Sequence, residues 1–141
     1  MKVSHVGPAI ISVALLSCAT PTENELPSVE FWTDRTAYVM GESGVLTLTN
    51  RGTDAINVDW TCTYEIQRMV GTSWESVDTG VWCLPEEPQQ QLAPGASEVL
   101  QFQVVAPAFA SAGEYRFQVA AWYIGSRQSL VISSDPFTVE N

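Results

Sequence analysis

The sequence predicts an all-β chain: one antiparallel sandwich of about seven strands. Three observations predict it. Beyond Ser28, short stretches alternate apolar and polar residues with a period of two. Glycine, proline and asparagine punctuate those stretches as turns, and no amphipathic helical period is sustained anywhere.

The amino terminus stands outside that pattern. Met1 and Lys2 give a minimal positive start, and Val6 to Leu16 is almost wholly apolar or small, ending in Leu15-Leu16-Ser17-Cys18. A membrane-spanning helix needs about 20 apolar residues. This stretch is roughly half that and contains Gly7 and Pro8, so residues 1–17 are expected to be a cleaved signal peptide. Residues 18–28, with Pro21 and Pro27 among polar side chains, read as a flexible linker reaching roughly 30 Å when extended. Residues 29–141 form the predicted domain.

Within the domain, strands are expected near Val29 to Thr33, Gly44 to Thr49, Ile56 to Arg68 (as one strand or two) and Trp74 to Asp78. Further strands are expected at Glu98 to Val104, Glu114 to Ile124 and, with a break, Ser129 to Val139. Alternation is cleanest from Ile56, where Ile56, Val58, Trp60, Cys62, Tyr64 and Ile66 share one face. Asn57, Asp59, Thr61, Thr63, Glu65 and Gln67 share the other, wet face. Leu100, Phe102 and Val104 face inward on a later strand, and Trp60 is expected to be a buried core tryptophan. Asn50-Arg51-Gly52, Val70-Gly71-Thr72-Ser73 and Ala93-Pro94-Gly95 supply turns.

Composition excludes several chemistries. Removing residues 1–17 from 141 leaves 124, enough for one domain with one core. All 16 acidic residues lie after the cut, against five arginines and no lysine, so the mature chain carries a formal charge of −11. Nucleic acid and anionic headgroups are poor partners for it. His5, the one histidine, leaves with the signal, so a histidine base, a histidine-ligated metal and a lysine Schiff base are all unavailable. No catalytic residues, metal ligands or cofactor are expected, and the chain is not expected to be an enzyme. Glu86-Glu87 lacks the alternate carboxylates and glycine turn of a calcium loop.

Leu15-Leu16-Ser17-Cys18 resembles the lipobox of bacterial lipoproteins. The resemblance implies that Cys18 takes a diacylglyceryl group and becomes the acylated amino terminus, two or three chains holding the protein at the membrane. Ordinary secretory cleavage after Ala19 is the alternative. Ala19, where enterobacterial inner-membrane lipoproteins carry Asp, favours the outer membrane where a cell has one. With Cys18 assigned to lipid, Cys62 and Cys83 remain for a disulfide in an oxidising compartment, closing a loop of about 20 residues for roughly 3 kcal/mol, with two buried free thiols as the alternative.

Ala112-Gly113-Glu114-Tyr115 resembles the tyrosine corner of immunoglobulin-like folds. With Asn50-Arg51-Gly52, Leu92-Ala93-Pro94-Gly95 and Asp135-Pro136-Phe137-Thr138-Val139 in order, the domain resembles the immunoglobulin-like module of bacterial envelope lipoproteins. That resemblance implies no catalytic residues and no agreed ligand. Cys62 and Cys83 flank a local hairpin, unlike the cysteines that join facing sheets in antibody domains.

Inward Tyr115, Phe117 and Val119 put Arg116, Gln118, Ala120 and Trp122 outward. Trp122 beside Arg116, and Trp82 next to Cys83, are the candidate binding residues. The expected function is a non-enzymatic envelope module that contacts a protein partner near the membrane. A glycan-binding module using exposed tryptophan is one alternative, and a protease inhibitor presenting the Leu84 to Gln91 loop is another.

Overall fold

The computed structural model describes residues 28–58, 64–79, 90–126 and 128–141. The signal, the lipobox, most of the linker, Trp60, the Cys62 and Cys83 pair and Trp82 lie outside the described residues. Among the described residues eleven strands run in order: β1 (Val29–Thr33), β2 (Ala37–Val39), β3 (Ser43–Asn50), β4 (Ile56–Val58), β5 (Glu65–Val70) and β6 (Ser73–Ser76), then β7 (Gln90–Leu92), β8 (Ser97–Gln103), β9 (Gly113–Tyr123), β10 (Ser129–Ser133) and β11 (Phe137–Glu140).

Two sheets form. One holds β1, β3 and β8 side by side, and the other follows the order β2-β11-β9-β4-β7, with β10, β5 and β6 attached. The fold is an immunoglobulin-like β-sandwich, with the long β9 as the spine of its larger sheet. Among the described residues four strands bond to β9. β5 pairs residues 115–118 and β4 residues 121–123 along one edge, while β11 pairs 113–115 and β10 pairs 118–122 along the other. The break expected within Ser129 to Val139 falls at Ser134, whose N–H donates to the Phe117 carbonyl at 2.8 Å and whose Oγ accepts from the Phe117 N–H at 2.9 Å.

The core lies between the sheets because β1, β3, β4, β9 and β11 bury alternate residues over much of their length. Leu46, Leu48, Ile56, Val58, Val119 and Val139 are fully buried. Six aromatic rings fill the centre: Tyr38 meets Phe102 and Phe137 edge-on at 5.3 and 5.4 Å, and Phe117 stacks on Phe137 at 5.4 Å. Phe109 packs edge-on against Tyr115 at 5.1 Å. The Tyr115 hydroxyl donates to the Ser111 carbonyl at 2.7 Å, so Tyr115 has the structural role expected of it.

Three expectations need correction. The chain makes eleven strands among its described residues because two short ones form by pairing: β2 against β11, and β7 against β4. Gln90 and Gln91, expected in a presented loop, belong to β7. Gln67 does sit on the face opposite Ile66, yet it is buried, because neighbouring side chains close over its amide.

Candidate functional site

The outer face of the larger sheet is built from β6, β5, β9 and β10. The β5–β6 hairpin turns at Gly71, which sits at φ +63° where glycine is favoured, and sets Met69 opposite Trp74 and Gln67 opposite Ser76. On the other side of β5, Gln67 faces Arg116 and Glu65 faces Gln118, and Gln118 in turn faces Ser133. Directly opposed residues point the same way, so these side chains share one surface.

A hydrogen-bond network crosses the four strands. Ser76 Oγ donates to Glu65, and Gln67 Nε2 is shared between Glu65 Oε2 at 3.0 Å and Gln118 Oε1 at 3.2 Å. Arg116 Nε donates to Gln67 Oε1 at 2.8 Å, and Gln118 Nε2 donates to Ser133 Oγ at 3.1 Å. Held this way, the Arg116 guanidinium lies over the Trp74 ring at 4.4 Å from its centroid. Both residues are half-buried, and the half-buried Met69 sits across from Trp74. The result is an aromatic and guanidinium platform on the sheet, with Glu114 exposed beside it on the same face of β9.

Arg116 therefore has a different neighbour from the one expected. Trp122 is on the same face of β9, but six residues along a strand separate them by about 20 Å. Trp122 is half-buried at the other end of β9, between Asn57 of β4 and Ser129 of β10. Trp74 and Gln67 were not singled out from the sequence. The hairpin turn carried enough signal to pair Met69 with Trp74, but nothing local shows that β9 lies beside β5.

Elsewhere, a second polar cluster braces the end of β1. Asp34 Oδ1 accepts from the Tyr38 hydroxyl and the Val45 N–H, both at 2.7 Å. Burial works to raise the Asp34 pKa, but these donors and the Arg35 guanidinium outweigh it and hold the carboxyl below its ordinary value. Burial and Asp34 together push the Tyr38 phenol up. Arg35 pairs with Glu42 at 3.2 Å, donates to the Ser43 carbonyl and lies over the Tyr38 ring. Among the described residues no group of His, Cys, Asp and Glu is placed to hold a metal ion, and no helix is long and apolar enough to cross a membrane.

Neither a protein-family model nor the sequence of a curated protein matches the chain. Solved structures do resemble it. The chain is similar to part of the alkylpurine DNA glycosylase AlkC of Pseudomonas fluorescens, at 13% identity and a TM-score of 0.42, over 81% of this chain and 31% of that one. It is similar to the sporulation control protein Spo0M of Bacillus subtilis, at 14% identity and a TM-score of 0.39, over 82% of this chain and 51% of that one. PapD-like domain 7 of human CEP192 shares 15% identity and a TM-score of 0.37, over 94% of this chain and 99% of that one. The chain thus spans about a third of the first of these proteins and about half of the second.

Proposed function

We propose that this protein is a lipid-anchored envelope module, without catalytic activity of its own, that binds a protein partner through the Trp74 and Arg116 platform. The observation that supports this reading is the 4.4 Å stack of Arg116 on Trp74, fixed by the Gln67 amide on a flat sheet face. Tryptophan and arginine are the residue types that dominate protein interfaces, and a pre-ordered side chain loses little freedom on binding. The surrounding carboxylates, in a chain of formal charge −10, favour a partner whose contact surface is basic. A glycan would need an open ring face, and Arg116 already covers one face of Trp74.

The anchor in this reading is Cys18, within Leu15-Leu16-Ser17-Cys18, with Cys62 and Cys83 paired and the membrane reached through the short linker. Two measurements test it. Intact mass of membrane-extracted protein, before and after reduction and alkylation, is expected to show an acylated Cys18 and thiols that react only after reduction. A Cys18→Ala variant is expected to leave the membrane fraction. For the platform, a photo-crosslinking residue placed at Glu114, exposed on the same face of β9 as Arg116, is expected to yield a defined partner in the native envelope, and one placed at Val99 on the opposite sheet is not. Loss of that crosslink in Trp74→Ala supports the platform; crosslinking that ignores the substitution rejects it.

A further inference from the structure

The free edge of β10 carries an interaction surface of its own, distinct from the Trp74 platform. Among the described residues β10 pairs only with β9. Its ladder is fixed by the bonds at either end, Tyr123 N–H to the Gln128 carbonyl at 3.0 Å and Ser134 N–H to the Phe117 carbonyl at 2.8 Å. Because bonded and non-bonded pairs alternate along an antiparallel ladder, residues 128, 130, 132 and 134 turn their backbone groups toward β9. Ser129, Val131 and Ser133 therefore direct three N–H and three C=O groups outward. Edges of this kind are usually guarded by charge, proline or a bulge. Here the five residues are Ser-Leu-Val-Ile-Ser, with none of these, and Val131 at the centre is 71% exposed.

We propose that this edge is a homodimer interface, in which β10 of a second copy pairs antiparallel with β10 about a two-fold axis through Val131. The sequence is close to self-complementary about that residue: Val131 meets Val131, Leu130 meets Ile132, and Ser129 meets Ser133. The register also has the right parity. Residues 129, 131 and 133 are the outward ones and are paired only with one another, so all three N–H groups of each copy find an outward carbonyl of the other. No like charges meet, although the chain carries a formal charge of −10.

The side chains fit as well. An open groove of about 620 Å³ lies between β10 and β1, lined by Phe31, Trp32, Leu130 and Ile132 among others. In the paired arrangement the second copy's Leu130 and Ile132 point to the same side as their counterparts, into this groove. An axis perpendicular to the sheet makes the contact isologous and closed at two copies, and joins the two larger sheets into one.

The test uses the full chain, purified in a nonionic detergent. Sedimentation and light scattering are expected to show a concentration-dependent dimer, and Val131→Lys, which sets two ammonium groups against each other at the axis, is expected to weaken it at least tenfold. Val131 is on the surface, so the thermal melt of Val131→Lys should match that of the parent. Register is read by cysteine. Opposed Cα atoms of a bonded pair are about 5.5 Å apart, within reach of a disulfide. Diamide is therefore expected to join Val131→Cys chains at residue 131, mapped by mass spectrometry, and to leave Ser129→Cys chains unjoined at 129. A parent that is monomeric throughout, a dimer indifferent to Val131→Lys, or linkage at 129 in place of 131 overturns the proposal. So does a monomer whose β10 amides are protected by a different protein's strand.

Discussion

The side chain of Asn50, at the end of β3 in the smaller sheet, donates to the carbonyl of Leu92, at the end of β7 in the larger sheet, at 3.1 Å. The same amide donates to the Asp54 carbonyl at 2.8 Å and accepts from the Gly52 N–H at 3.0 Å, and the residue is fully buried. One side chain thus shapes the turn after β3 and ties the sheets together. Replacing Asn50 with Leu leaves three backbone groups without their partner, two of them carbonyls. Urea denaturation of Asn50→Leu is expected to show a loss of about 2–3 kcal/mol. A loss under about 0.5 kcal/mol would mean that water replaces the amide.

Gly44 is buried on β3 directly opposite Phe102 of β8, and the Phe102 ring lies across the space a Cβ would need. The Tyr38 ring closes the same space, with Cε1 2.7 Å from that position. Glycine is required here for packing. Gly44→Ala is expected to displace two core rings and to cost about 1–3 kcal/mol, with altered near-ultraviolet circular dichroism.

Tyr115→Phe removes the 2.7 Å bond to the Ser111 carbonyl and leaves the ring in place against Phe109. A loss of about 1 kcal/mol is expected, visible as a shift in the urea midpoint at constant slope. Binding through the Trp74 platform should be unaffected, because the Tyr115 side chain points to the opposite face of β9.

Acid should weaken the fold through Asp34. Its carboxyl titrates below the ordinary 3.8 in the folded chain, so the folded state binds fewer protons than the unfolded state in that range. The contribution is fully present above pH 3.8 and is lost as pH falls through that value toward the depressed folded pKa. Glu42, lowered chiefly by the Val39 N–H, acts in the same direction. Asp34→Asn is expected to flatten part of the decline in urea midpoint between about pH 5 and about pH 3. An unchanged slope would place the acid sensitivity elsewhere.

The sandwich was legible wherever alternation persisted for five residues or more. β3 and β9 bury every second residue over much of their length, β8 alternates exposed and more sheltered residues, and the two-residue turn at Gly71 announced the β5–β6 hairpin. β2 and β7 were not legible. Ala-Tyr-Val and Gln-Gln-Leu are too short for a period, and each is a strand because of a partner it meets in space. The platform failed to show for the same reason. Arg116 was correctly placed on the outward face of β9, but its neighbour across two strands depends on β5 lying beside β9, a tertiary choice that no local spacing encodes.

The position of β11 bears on when this domain can form. β11 lies between β2 and β9, parallel to the first and antiparallel to the second, and it is the last of the described strands to be synthesised. Until it arrives, β2 has no place in the sheet and the Phe137 ring is missing from the middle of the core. A chain elongating from the ribosome therefore stays open, and pairings between distant segments keep its closure slow even when complete. Under the export proposed above for this chain, a sheet whose keystone is delivered last would keep the polypeptide threadable through a pore before folding.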